Sequence, residues 1–245
     1  LKEWIEYYRL QGATKFYLYN NLSKDNYKKV LRPYIKEGIV QLTEWPHESL
    51  DNGYWNHVQV TAYAHGISLA RKDHVDWLIV VDADEFIVPV THETLLDYVR
   101  MYNDTDIGML SFLWMMFGTS NVKKVPKDKL LIETLLWNGG PQLAIGEKSI
   151  LHTRRADTDG PHYGKCLEGY RSLRIPLDTV QINHYWSRDE KFLYEVKIPR
   201  RILWGWPQEQ SESFVRQFNS PDYPAVSDPI QRFAPALRKA LNLPE

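Results

Sequence analysis

The sequence predicts an α/β protein with a mostly parallel, Rossmann-like sheet and helices on both faces. Two patterns carry that expectation. Helical and strand periodicities alternate from the first residue to about residue 81, the order that builds βαβ units. The third strand-like run, Trp77-Leu78-Ile79-Val80-Val81, then stops abruptly at Asp82-Ala83-Asp84-Glu85. An unbroken apolar run of this length reads as a buried parallel strand. Open α/β sheets keep their ligand sites beyond the ends of such strands.

Each element follows from local pattern. Leu1, Trp4, Ile5 and Tyr8 form a helical stripe, with Gly12 as a plausible C-cap. Lys15 to Tyr19 reads as a strand with Asn20-Asn21 as its turn. Tyr27, Val30, Leu31, Tyr34 and Ile35 carry helical spacing, with Pro33 expected to kink or shorten that helix. Ile39 to Trp45 is the second strand, and Tyr54 to Ala70 a long helix. After Pro89, a helix is expected from Thr91 to about Tyr102, and a strand from Ile107 to Leu113. Residues 114–164 look irregular, with a strand at Leu130 to Trp137. Val180 to Tyr185 is a last short strand, Ser187 opens a helix through Lys197, and short helices are expected near Ser211 to Phe218 and Ile230 to Leu241.

This organisation divides into one domain over 1–203 and a Pro-rich helical extension over 204–245. Within the domain, 1–106 is the half that holds the acidic cluster and 107–203 the half built on loops. The chain opens on a helix, whereas a nucleotide-binding α/β unit normally opens on a central strand. The sheet is therefore expected to lack its first strand, leaving unpaired strand edges.

Composition bounds the function. The 245 residues are 43% hydrophobic, enough for a sizeable core, and the formal charge of −1 gives no support for bulk nucleic-acid binding. A single cysteine, Cys166, excludes an internal disulfide framework. No run is long and apolar enough to span a bilayer, and no signal peptide opens the chain. These features point to a cytoplasmic location, with peripheral membrane association open. Nine Trp and fifteen Tyr are many for this length, and sugar-binding enzymes use such faces for stacking.

The acidic cluster carries the chemistry. Carboxylates at a buried strand end need a positive partner. A divalent cation holding a diphosphate meets that need, since hard cations prefer carboxylate and phosphate oxygens. Asp84 is the first choice for a direct ligand. Asp82 is expected to touch the ribose, or the metal through water. A solvated acidic turn is the competing reading. Among basic residues, Lys148 and Lys197 are favoured over Arg154, Arg155 and Arg200 for neutralising phosphates. Asn20 and Asn21 complete the expected donor pocket. Trp114, Phe117 and Trp137 are candidates for an acceptor cleft, with core packing as the alternative for each.

An ordered set of segments resembles glycosyltransferase family 92 and its bacterial family-2-like relatives. These are Glu3 to Gly12, Phe16 to Asn21, Gln59 with Tyr63 and His65, and Asp82 to Ile87. Trp114 with Phe117 to Ser120, Lys148 to Ile150, Pro161-His162, Asn183 to Tyr185, and Ser187 to Phe192 with Lys197 follow in order. The resemblance spans roughly Leu1 to Arg201. It implies a GT-A fold, a nucleotide-sugar donor with UDP-sugars favoured, a glycan or other hydroxyl acceptor, Mn²⁺ or Mg²⁺, and inversion at the anomeric carbon. It also implies a metal role for His184, and a weaker claim for His162. Two departures stand out: the strand and Asn-Glu that usually precede the first helix are missing, as are the cysteines of secreted animal members. An inverting enzyme needs a base near the acceptor hydroxyl, and Asp157, Asp159, Glu133 and Glu168 all lie in the right half of the chain. Spacing alone selects none of them. The competing functions are a nucleotidyltransferase and an inactive carbohydrate-binding or scaffold module.

Overall fold

The computed structural model describes residues 1–48, 51–224 and 228–244. Helix α1 (Lys2–Leu10) buries Trp4, Ile5, Tyr7 and Tyr8 on one stripe, the spacing that turns a single helix face to a core. Strand β1 (Phe16–Asn20), helix α2 (Tyr27–Glu37) and strand β2 (Val40–Glu44) form a βαβ unit whose strands pair in parallel. Helix α2 continues past Pro33 to Gly38, where φ of +83° supplies a left-handed cap. Helix α3 (Asn52–Lys72) starts where the Asp51 carboxylate accepts from Tyr54 N. It leads through strand β3 (Trp77–Val80) and the acidic turn into strand β4 (Glu85–Pro89). Helix α4 (Leu95–Arg100) is capped by Thr94, later than the predicted Thr91 start, because the Thr94 hydroxyl accepts from Asp97 N.

Strand β5 (Ile107–Met116) is the longest and the most shared. It is followed by helix α5 (Leu131–Thr134) and strands β6 (Trp137–Asn138), β7 (Glu147–His152), β8 (Ala156–Thr158), β9 (Gly164–Cys166), β10 (Arg171–Ile175) and β11 (Val180–His184). The chain closes with α6 (Glu190–Phe192), a π-turn over Leu193–Lys197, α7 (Ile198–Leu203), α8 (Gln208–Phe218), β12 (Ser220–Pro224) and α9 (Ala234–Leu241). Among the described residues, no helix is long and apolar enough to cross a membrane.

The expected mostly parallel sheet is a mixed one. Its order is β3-β7-β5-β11-β4, with β10 also on β5, while β1 and β2 pair only with each other. Strand β7 runs antiparallel to both β3 and β5, and β11 runs antiparallel to β4. Only β5–β10 and β5–β11 are parallel within the main sheet. An apolar run sets burial but not the direction of its partner. Strand β3 is accordingly half-buried at the end of the order, not the buried parallel strand expected.

Two further expectations fail for non-local reasons. Leu130 to Trp137 forms a helical turn and a two-residue strand, because the Glu3 carboxylate accepts from Leu131 N (2.8 Å) and Ile132 N (3.1 Å) and so caps α5 from across the fold. The Ser187–Lys197 helix begins at Asp189, whose carboxylate accepts from Phe192 N, and widens into the π-turn after three residues.

The outer edge of β4 is not left bare. Trp4 Nε1 donates to Glu85 O (3.0 Å) and Tyr8 Oη donates to the same carbonyl (3.1 Å). Ile87 N donates to Tyr8 Oη (3.0 Å), and Tyr7 Oη donates to Ile87 O (2.7 Å). Aromatic side chains of α1 thus take the hydrogen bonds that a neighbouring strand would supply, which answers the cost of an exposed edge. The tail joins the same core. Ile230, Ala234 and Leu237 are buried in the main apolar cluster with α1 and β4 residues, and Arg238 clasps Glu133 at 2.7 and 2.9 Å.

Leu237 is fully buried, so Leu237→Ala is expected to lower the unfolding free energy by about 2–4 kcal/mol in urea titration, within a single transition. A change below about 0.5 kcal/mol, the range of surface substitutions, would mean that α9 rests on the surface.

Candidate functional site

The site is built on the turn between β3 and β4. Strand β3 delivers Asp82 and Asp84, and the first residue of β4 is Glu85, which is 0% exposed. Glu85 holds the turn from beneath: its Oε2 accepts from Asp82 N at 2.8 Å. Burial, and then the Asp82 charge, push the Glu85 carboxyl well above the usual carboxylate range, with Lys148 opposing them. Its other oxygen, Oε1, is buried without a hydrogen-bond partner.

Strand β7 pushes Lys148 under the same turn, where only 1% of the residue is exposed. Its Nζ lies 3.3 Å from Asp82 Oδ2 and 4.0 Å from Glu85 Oε2, and it donates to Pro161 O (2.9 Å) and Tyr63 Oη (3.2 Å). Burial alone would lower the Lys148 pKa, but Asp82 and Glu85 outweigh it and raise it. Helix α3 adds Gln59 and Tyr63, one turn apart, which donate to Asp82 Oδ1 at 2.8 and 2.9 Å. Loss of water opposes ionisation of Asp82. The Lys148 ammonium and the Tyr63 hydroxyl prevail, holding its carboxyl below the usual range.

Asp84 faces the opposite wall. His184, the last residue of β11, sets Nε2 at 3.7 Å from Asp84 Oδ1 and 3.8 Å from Glu85 Oε1. Burial holds the His184 pKa down at about 4, so the ring is neutral near pH 7. Lys197, from the π-turn, donates to Asp84 Oδ2 at 3.3 Å. Burial lowers the Lys197 pKa while Asp84 counters it. Trp114 packs against His184 (ring centroids 4.5 Å) and His162 (5.1 Å). Gly146 makes room for that ring: its φ is +77°, and a side chain there would overlap the Trp114 indole.

Asp82, Asp84, Lys148, Lys197, His184 and Trp114 therefore lie together around the turn. Among the described residues, however, no three His, Cys, Asp or Glu side chains form a group that could hold a metal ion. Asp84 and His184 face each other as a pair. Phe117 is a correction: it is 1% exposed and packs on Tyr185 at 4.5 Å in the core, so it offers no face to a cleft. Asn20 and Asn21 serve their own turn, with Asn20 donating to Glu44 and Tyr27, and Asn21 Oδ1 accepting from His47 N.

None of the four base candidates touches the cluster through a described hydrogen bond or ion pair. Glu133 is held by Arg238 and accepts from Leu130 N. Asp157 pairs with Arg71 at 3.1 Å. Asp159 and Glu168 are exposed on loops around β9. Arg155 is structural, donating to the carbonyls of Tyr102, Asn103, Thr105 and Ile107. Gln59 and Tyr63 belong to the segments of the family resemblance, but no role was expected of them. Their signal in the sequence is the i, i+4 spacing on a helix aimed at an acidic turn.

Comparison with known proteins supplies the family. The profile described as Glycosyltransferase family 92 matches residues 1–232. A family 92 protein of Ricinus communis is 25% identical over 232 residues, covering 86% of this chain and 37% of its own length. One of Oryza sativa subsp. japonica is 28% identical over 194 residues, covering 76% and 30%. One of Arabidopsis thaliana is 22% identical over 232 residues, covering 86% and 37%. A solved Bacillus anthracis chain, assigned as a glucose-1-phosphate thymidylyltransferase, aligns over 94% of this chain and 69% of its own. Its 11% identity and TM-score of 0.28 are too low to bear on the fold. The chain belongs to glycosyltransferase family 92. It spans less than two-fifths of the length of these curated relatives.

Asp82 looks like a surface acid, with 37% of its side chain exposed, yet it is the nearest carboxylate to a buried ammonium. Asp82→Ala is therefore expected to cost about 2–4 kcal/mol of stability by chemical denaturation, because it leaves Lys148 short of its partner. A cost below about 0.5 kcal/mol would show that Lys148 does not depend on it.

Proposed function

We propose that this chain is a GT-A-type catalytic domain that transfers a sugar from a nucleoside-diphosphate donor, with UDP-sugars favoured, to a hydroxyl of a glycan or similar acceptor. One observation carries the reading. A half-sheltered carboxylate, Asp84, faces a neutral imidazole nitrogen and a buried ammonium at the end of a strand. Family membership supports the reaction class.

The donor set suits a divalent cation. Asp84 offers a hard oxygen and His184 a neutral nitrogen, the pairing that Mn²⁺ accepts. Among the described residues, Asp84 and His184 are the pair that would hold it. When bound, the cation would neutralise charge growing on the departing diphosphate. The chain's own residues prepare the site. Lys148, Tyr63 and Gln59 fix Asp82, Glu85 fixes the turn backbone, and Lys197 orients Asp84. The Trp114 ring shields His184 from water. Inversion, the stereochemistry implied by the resemblance, is part of the proposal, and the acceptor-side base stays unassigned.

The test is turnover of a panel of nucleotide-sugars by the purified chain with Mn²⁺, followed by nucleoside-diphosphate release and by mass spectrometry of acceptors. Release of pyrophosphate from nucleoside triphosphates, with no sugar transfer, would instead indicate a nucleotidyltransferase. Asp84→Asn is nearly isosteric and is expected to lower transfer about 100-fold or more while the chain still unfolds in one cooperative transition. His184→Ala is expected to raise the Mn²⁺ concentration for half-maximal turnover by about 10-fold or more. Wild-type turnover in Asp84→Asn, or an unshifted Mn²⁺ dependence in His184→Ala, would remove that residue from the cation site.

A further inference from the structure

Two helices flank the acidic turn, and each carries a ladder of side chains along one face. On α3 the ladder is Trp55, Gln59 and Tyr63, spaced i, i+4 and i+8. Its inner rungs hold Asp82. Across the turn, the ladder is Lys197, Arg200 and Trp204, running from the π-turn along α7 to its C-cap. Its inner rung, Lys197, holds Asp84. The outer rungs meet: Trp55 and Trp204 stack with centroids 6.2 Å apart at 29°. The ladders thus run from the two aspartates to a stacked indole pair.

Arg200 is the middle rung. Its guanidinium lies over the Trp204 ring at 5.2 Å. Its Nε is buried with no hydrogen-bond partner among the described residues. It follows Lys197, the Asp84 partner, by three residues on the same helical face, and burial depresses its pKa while Asp84 and Asp82 counter that shift. A buried guanidinium N–H left without an acceptor is costly and calls for an anion. The other cations nearby are engaged. Lys148 sits beneath Asp82, and Arg201 lies over the Trp206 and Trp186 rings at 4.1 and 5.2 Å.

We propose that Arg200 is the phosphate-recognising residue of the site, donating to the diphosphate of a donor bound between the two ladders, with the Trp55–Trp204 pair at their outer end. This rests on the glycosyl-transfer reading above. A planar guanidinium matches phosphate oxygens better than an ammonium, because its N–H groups can bind two oxygens at once. Stacking on Trp204 holds that plane in place before the ligand arrives.

Calorimetric titration tests this with inorganic pyrophosphate, UDP and GDP, and with uridine as a phosphate-free control. Arg200→Gln is expected to weaken the tightest-bound diphosphate about 10- to 100-fold, with uridine binding and the melting temperature unchanged. Arg200→Lys keeps the charge and is expected to lose less, and it carries the test if Arg200→Gln does not fold. Arg201→Gln is expected to bind like wild type. Equal diphosphate affinity in wild type and the folded Arg200 variants overturns the inference and leaves the glycosyl-transfer reading standing. Parallel loss of diphosphate and uridine affinity also overturns it, since Arg200 would then serve the nucleoside end. A wild type that binds no diphosphate overturns both.

Discussion

The site depends on keeping one ammonium charged where there is almost no water. Lys148 is buried beneath the β3–β4 turn, and an unpaired charge there would cost several kcal/mol. Asp82, Tyr63, Pro161 O and the nearby Glu85 together offset that cost. Each of these contacts also fixes something. Asp82 is held on both carboxylate oxygens, and Glu85 ties down the Asp82 amide. With the turn pinned from below, Asp84 is directed toward His184 and Lys197.

That arrangement needs β4 to be rigid, and α1 supplies the rigidity. Trp4 and Tyr8 bind the Glu85 carbonyl, so the residue that anchors the turn by its side chain is itself anchored by its backbone. The opposite edge of β4 pairs with β11, with His184 registered against Glu85. One backbone pairing therefore sets the distance between the imidazole and the acidic turn. The tail packs on α1 within the same core, linking the far end of the chain to the geometry of the site.

The alternation of helices and strands up to Val80 was legible because hydrophobic spacing is a local signal. Strand direction was not. Strand β3 finds its partner in β7, about seventy residues later, and β7 (Glu-Lys-Ser-Ile-Leu-His) hides its burial behind polar residues, among them Lys148, which pairs with Asp82. The Leu130–Trp137 segment has strand-like composition, yet the Glu3 carboxylate, 128 residues away, caps it as a helical turn. The acidic turn was legible because carboxylates at the end of an apolar run need compensation. Lys148 and Lys197 were expected on phosphates and His184, through the resemblance, on a metal; their contacts with Asp82 and Asp84 lie across the fold. Phe117 was not separable from Trp114 by type alone: one faces His184 and the other Tyr185. The roles of Glu85 and Arg200 depend on depth, which no spacing encodes.

The central claim is that the β3–β4 turn is pinned so that Asp84 and His184 face a shared ligand position. Anomalous diffraction from crystals grown with Mn²⁺ and UDP tests it most directly. The account predicts a single strong manganese peak between Asp84 and His184, with diphosphate density beside it and Lys148 still paired to Asp82. A manganese peak elsewhere, with Asp84 and His184 holding only water, would contradict it.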